Sequence, residues 1–110
     1  MDGRVRRTIE RMEQQLQRRW TVTQLAGTAG VSTAQLTRLF RQSTGATPGA
    51  FLRALRMTRA RQLLERTNLS VAEVMAQVGS SDRSHFARDF QRVHGVPPGA
   101  VREQLKLTGV

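Results

Sequence analysis

Cysteine and tyrosine are absent from this chain, and tryptophan and lysine occur once each, at Trp20 and Lys106. Without cysteine there is no disulfide framework and no thiolate metal site. The same absence agrees with a reducing, cytoplasmic setting. No apolar run approaches the roughly 20 residues that span a bilayer. The first ten residues, MDGRVRRTIE, hold no apolar signal core, so no secretion signal is expected. Acidic residues are scarce: 8 against 18 basic ones, for a formal net charge of +10. A genome that favours Arg codons accounts for Arg over Lys, but not for the excess of basic over acidic residues. A polyanionic partner is the leading explanation, nucleic acid ahead of an acidic membrane surface. At 110 residues and 38% apolar content, the chain suits one small helical domain or two very small units sharing a core.

What the chain does contain is helical periodicity. Val5, Ile9, Met12, Leu16 and Trp20 recur on one helix face, which predicts a helix over 4–19. Thr21-x-x-Gln24 reads as a capping box, with Trp20 and Leu25 spaced as a hydrophobic staple. Gly30 suits the left-handed position after a short helix. Gly27, inside that helix, costs ~0.5–1 kcal/mol relative to Ala, and close approach of another helix would be a reason to keep it. Ser32 caps the next helix. There Leu36, Leu39, Phe40 and Ser43 form one face, and Ala34, Thr37, Arg38 and Arg41 form the other. Two helices joined by a short glycine-containing turn make a helix-turn-helix, whose polar second-helix face is free to enter a DNA groove.

A long helix is then predicted from Pro48, at the first helical position, to Arg66. Its buried stripe is Phe51, Leu52, Leu55, Ala60, Leu63 and Leu64, with Met57 at the edge. Beyond it the pattern returns. Ser70-x-x-Glu73 and Gly79 stand 49 positions after Thr21-x-x-Gln24 and Gly30. Asp82, Phe86, Arg88, Phe90, Gly95 and Pro98-Gly99-Ala100 stand 50 after Ser32, Leu36, Arg38, Phe40, Gly45 and Pro48-Gly49-Ala50. The second turn therefore holds one extra residue. Asp82 is expected at an N-cap; Phe86, Phe90 and Val93 are expected to be buried. A last short helix after Pro98 rests on Val101 and Leu105, and the tail from Lys106 is expected to fray. The expected fold is all-α: a first unit over 1–47, a linker helix over 48–66 and a second unit over 67–110.

The segments LAGTAGVSTAQLTRLFRQSTG, FLRALRMTRARQLL, LSVAEVMAQVG and FARDFQRVHGVPP, in this order, resemble the AraC/XylS family of bacterial transcription regulators. The resemblance runs from about Ile9 to Leu105. It implies a seven-helix DNA-binding domain whose two helix-turn-helix units insert into successive major-groove segments, ~34 Å apart. Transferred to this chain, it places Ala34, Thr37 and Arg38 at base edges in the first unit, with Gln35 beside them at the helix start, where it either serves the cap or faces the DNA. It places Arg83, Ser84, Ala87 and Arg88 at the corresponding positions in the second, where Arg83 reads a base or clamps the backbone. Arg38 and Arg88 have the reach and the fork geometry to bond guanine O6 and N7; a phosphate contact or a surface ion pair is the alternative for each. Arg41, Gln91 and the helix starts near Pro48 and Pro98 are phosphate candidates, and His85 is a candidate at the DNA edge. The chain departs from the family at Ser80 and Val101, where an aromatic is usual, and at Met75, where Ala is usual. Met75 is expected to fill part of the space Ser80 leaves.

Nothing in the chain suggests an enzyme. No Ser/His/Asp or Cys/His set occurs, GATPGA lacks the Lys-Ser/Thr of a phosphate-binding loop, and no metal or other cofactor is expected. The four Phe occupy core positions, leaving no aromatic platform for unstacked bases, so duplex DNA is favoured over RNA. The expected function is sequence-specific duplex binding by a monomer to activate transcription. The alternative is a helical interaction module that docks on a protein such as RNA polymerase.

Overall fold

The computed structural model describes residues 1–107. Among them are seven α-helices and no strand: α1 (Gly3–Gln14), α2 (Val22–Ala29), α3 (Thr33–Thr44), α4 (Pro48–Arg66), α5 (Val71–Val78), α6 (Arg83–His94) and α7 (Val101–Leu107). A 3-10 turn, Pro98–Ala100, leads into α7. The all-α, seven-helix expectation is met. By internal contacts the chain divides into two units, Met1–Leu55 and the residues from Arg56 onward, so the boundary lies within α4.

In the first unit α1 buries Val5, Thr8 and Met12. Thr8 was not among the expected core residues, but burial costs its hydroxyl little, because it donates to Arg4 O at 2.8 Å. Helix α1 ends at Gln14, not at 19. The Gln15 carbonyl accepts from Arg18 N at 3.1 Å and from the Trp20 indole Nε1 at 3.0 Å, instead of serving a further helical turn. Leu16 is still buried, so the stripe continues through a turn. In α2 the Thr21–Gln24 capping box closes in both directions. At its end Gly30 (φ 71°) lets Val31 N reach Ala26 O, which satisfies carbonyls the helix would otherwise leave open. Gly27 is exposed, and a Cβ there would meet nothing within 4 Å, so no close helix approach accounts for it. Helix α3 buries Leu36 and Phe40, and the Phe40 ring meets Phe51 edge-on at 5.7 Å.

Helix α4 buries Leu52, Met57, Ala60, Leu63 and Leu64. Met57 is thus central to the stripe and not at its edge, while Phe51 and Leu55 are only half-buried.

The second unit repeats the local solutions of the first. Ser70 and Glu73 form a closed capping box, and Gly79 lets Ser80 N bond Met75 O at 2.9 Å. Met75 is 7% exposed, so it points into the unit and not to solvent. In α6 Phe86 and Phe90 are buried, but Val93 is 50% exposed, against expectation. The contact line runs Phe86, Phe90, His94: the His94 ring lies 4.4 Å from Phe90, and its Nε2 stands 2.9 Å from Met57 O. That tether fixes the end of α6 and leaves Val93 outside it. Val101 is fully buried. Beside it, Arg102 donates from Nε to Leu64 O at 3.0 Å and from Nη2 to Thr67 O and Leu69 O, both at 2.7 Å. One guanidinium therefore holds the end of α4 and the approach to α5. Lys106 and Leu107 are helical, contrary to the frayed tail expected from Lys106; residues 108–110 lie outside the described part.

Candidate nucleic-acid interface

Each unit presents the second helix of its pair with an apolar face inward and a polar face outward. On α3, Ala34, Arg38 and Arg41 are exposed, and Gln35 and Thr37 are half-exposed. On α6, Arg83, Ser84, His85, Arg88 and Gln91 are exposed, and Ala87 is half-buried. Periodicity had selected these faces, and each set lies along a single helix.

The start of each helix is held by a side chain. Ser32 Oγ accepts from Gln35 N at 3.1 Å, and an Asp82 carboxylate oxygen accepts from His85 N at 2.8 Å. The Asp82 bond to His85 N, aided by the nearby His85 and Arg88 charges, holds that carboxyl below its ordinary range. The side-chain amide of Gln35 makes no reciprocal bond to Ser32, so capping does not occupy it, and it remains available to a ligand. Thr37 differs from expectation in what it offers. Its Oγ1 donates to Thr33 O at 3.0 Å, which spends the hydroxyl proton on the helix backbone.

The structure adds a residue that periodicity did not single out. Val22, at the first position of α2, is 39% exposed. It lines an open groove with Thr33, Ala34 and Thr37. No cap, glycine or core position in the sequence marks Val22, and only the packing of α2 against α3 places it at this groove.

The remaining arginines are not equivalent. Arg4 pairs with Asp2 at 3.2 Å, and Arg18 lies over the Trp20 ring at 4.4 Å. Arg61 bonds Glu65 and Gln104, and Arg92 pairs with Asp89. No acidic residue occurs between Glu13 and Glu65, a stretch that includes all of α2 and α3. Of the two helix starts considered for phosphate, Pro48 opens a full helix, whereas Pro98 opens only a 3-10 turn. At the first of these Ala50 N is already bonded to Thr47 Oγ1 at 3.2 Å.

These features have close counterparts. A helix-turn-helix domain model matches residues 25–104. The HTH-type transcriptional regulator MtrA of Neisseria gonorrhoeae is 32% identical over 103 residues, covering 94% of this chain and 34% of that protein. The RCS-specific HTH-type transcriptional activator RclR of Escherichia coli is 39% identical over 87 residues, covering 79% of this chain and 31% of that protein. The chain thus spans about a third of the length of these relatives. An AraC-type transcriptional regulator structure from Chromobacterium violaceum superposes with a TM-score of 0.86 at 31% identity, covering 92% of this chain and 90% of that one. The DNA-binding domain of AdpA, a global transcriptional factor solved in complex with a target DNA, superposes with a TM-score of 0.90 at 27% identity, covering 97% and 96%. The chain belongs to the AraC-type family of helix-turn-helix DNA-binding transcriptional regulators.

Proposed function

We propose that this chain recognises a specific duplex sequence by placing α3 and α6 each in a major-groove segment, and that the bound form activates transcription. The observation that carries this reading is the pair of exposed, arginine-bearing faces on the second helices of both units, Arg38 on α3 and Arg88 on α6. Neither guanidinium has a carboxylate within ion-pairing distance among the described residues. Each is therefore available to a guanine edge, a contact that discriminates between bases by ~1–3 kcal/mol. Gln35, Ser84, His85 and Gln91 add side chains that bond bases or phosphates, and Arg41 and Arg83 neutralise the backbone. Ala34 and Ala87 let the helices come close.

The test begins with selection of bound duplexes from a random pool, followed by affinity measurements over a salt series. Affinity should fall steeply as salt rises, because each neutralised phosphate releases counterions. Arg38→Ala should relax the preference at one base pair; uniform weakening across all sequences would make Arg38 a phosphate contact instead. If no duplex binds even at low salt, DNA reading fails and the protein-docking alternative stands.

A further inference from the structure

We infer that the groove between α2 and α3, lined by Val22, Thr33, Ala34 and Thr37, receives the 5-methyl group of a thymine, and that Val22 is a specificity-determining residue outside the recognition helix. The inference rests on the DNA-binding reading above. Three observations support it. First, the groove presents methyl groups. The lining side chains carry them, two on Val22, one on Ala34 and one on each threonine, and the Thr37 hydroxyl proton is committed to Thr33 O at 3.0 Å. Second, the groove opens on the helix face that carries exposed Arg38 and Arg41, within a stretch that lacks any acidic residue from 14 to 64. That charge suits a polyanion as the occupant and disfavours an apolar peptide from a protein partner. Third, the only methyl group a duplex displays in its major groove is that of thymine. An apolar groove beside a groove-reading arginine therefore has one chemically matched occupant. Val22 sits at the first position of α2, where it needs no burial to hold the helix, because the Thr21–Gln24 box already does so.

The experiment uses the duplex obtained by selection, with each thymine replaced in turn by uracil, which removes the methyl and leaves the base pair intact. One replacement should weaken binding about fourfold, the factor that corresponds to burying one methyl group. Val22→Thr keeps the shape of the side chain and introduces a hydroxyl into the groove. This variant should lower the thymine-to-uracil ratio at that position, with its helix content and melting temperature checked against the parent. Val22→Ala, which shortens the wall without adding polarity, should reduce the thymine-to-uracil ratio without abolishing it. Binding with no position sensitive to uracil, or an unchanged ratio in Val22→Thr, overturns the groove assignment and leaves DNA recognition standing. Failure to bind any duplex overturns both.

Discussion

Replacing Arg102 by Met tests the claim that one guanidinium holds the second unit together. Methionine keeps most of the length and apolar stem but has no donor. The substitution removes three hydrogen bonds, to Leu64 O, Thr67 O and Leu69 O, at 3.0, 2.7 and 2.7 Å. Bonds from a charged donor stabilise by ~1.5–3 kcal/mol each. Arg102 is half-buried, so water can reach some of the released carbonyls, and three bonds from one group are not additive. About 1 kcal/mol per bond, or roughly 3 kcal/mol in all, is the expected loss. For a domain of this size that corresponds to a fall of about 10–20 °C in melting temperature, followed by far-UV circular dichroism. Arg102→Lys should recover only a small part, since an ammonium on a single stem lacks the planar fork that spans separate carbonyls. Amides near the end of α4 and the start of α5 should lose protection from hydrogen exchange before those of α2 and α3. A melting temperature within about 2 °C of the parent for Arg102→Met, on the same per-kcal scale, would refute the argument. So would full recovery by Lys.

Three further outcomes follow from the same structure. Gly27→Ala should raise the urea midpoint, equivalent to about 0.5–1 kcal/mol, since the added Cβ meets nothing and the unfolded chain loses freedom; a lower midpoint would reveal a neighbour. Asp82 and Glu73 are held below their ordinary carboxylate values mainly by backbone N–H bonds, so their contribution to stability is present at neutral pH. It should be lost as pH falls below about 4, and Asp82→Asn with Glu73→Gln, which keep acceptors but do not titrate, should flatten the urea-midpoint profile there. Phe90→Ala should cost about 3–5 kcal/mol by emptying a fully buried site, whereas Val93→Ser should change stability by no more than ~0.5 kcal/mol; similar losses in chemical denaturation would contradict the observed burial.

Much of the architecture was legible because its signals are local. Capping residues and left-handed glycines depend only on neighbours a few positions apart, their recurrence at offsets of 49 and 50 marks the second unit, and all are present in the fold. The outward faces of α3 and α6 follow from the same helical periodicity. Side-chain commitments were not legible in this way. Whether Gln35 spends its amide on a cap, or Thr37 its hydroxyl on a backbone carbonyl, depends on rotamers chosen by the surroundings.

By itself, then, the sequence determined the helix order, the duplicated unit, the inward and outward faces, and a charge that calls for a polyanion. Tertiary structure alone decided where periodicity yields to a competing partner. The Trp20 indole takes the Gln15 carbonyl and α1 stops; His94 reaches the Met57 carbonyl and Val93 is left in solvent. Arg102 gathers three carbonyls from residues more than 30 positions away. Val22 turns outward at a groove instead of entering the core. In each case the deciding contact joins groups that no helical repeat brings together, so only the folded chain reveals it.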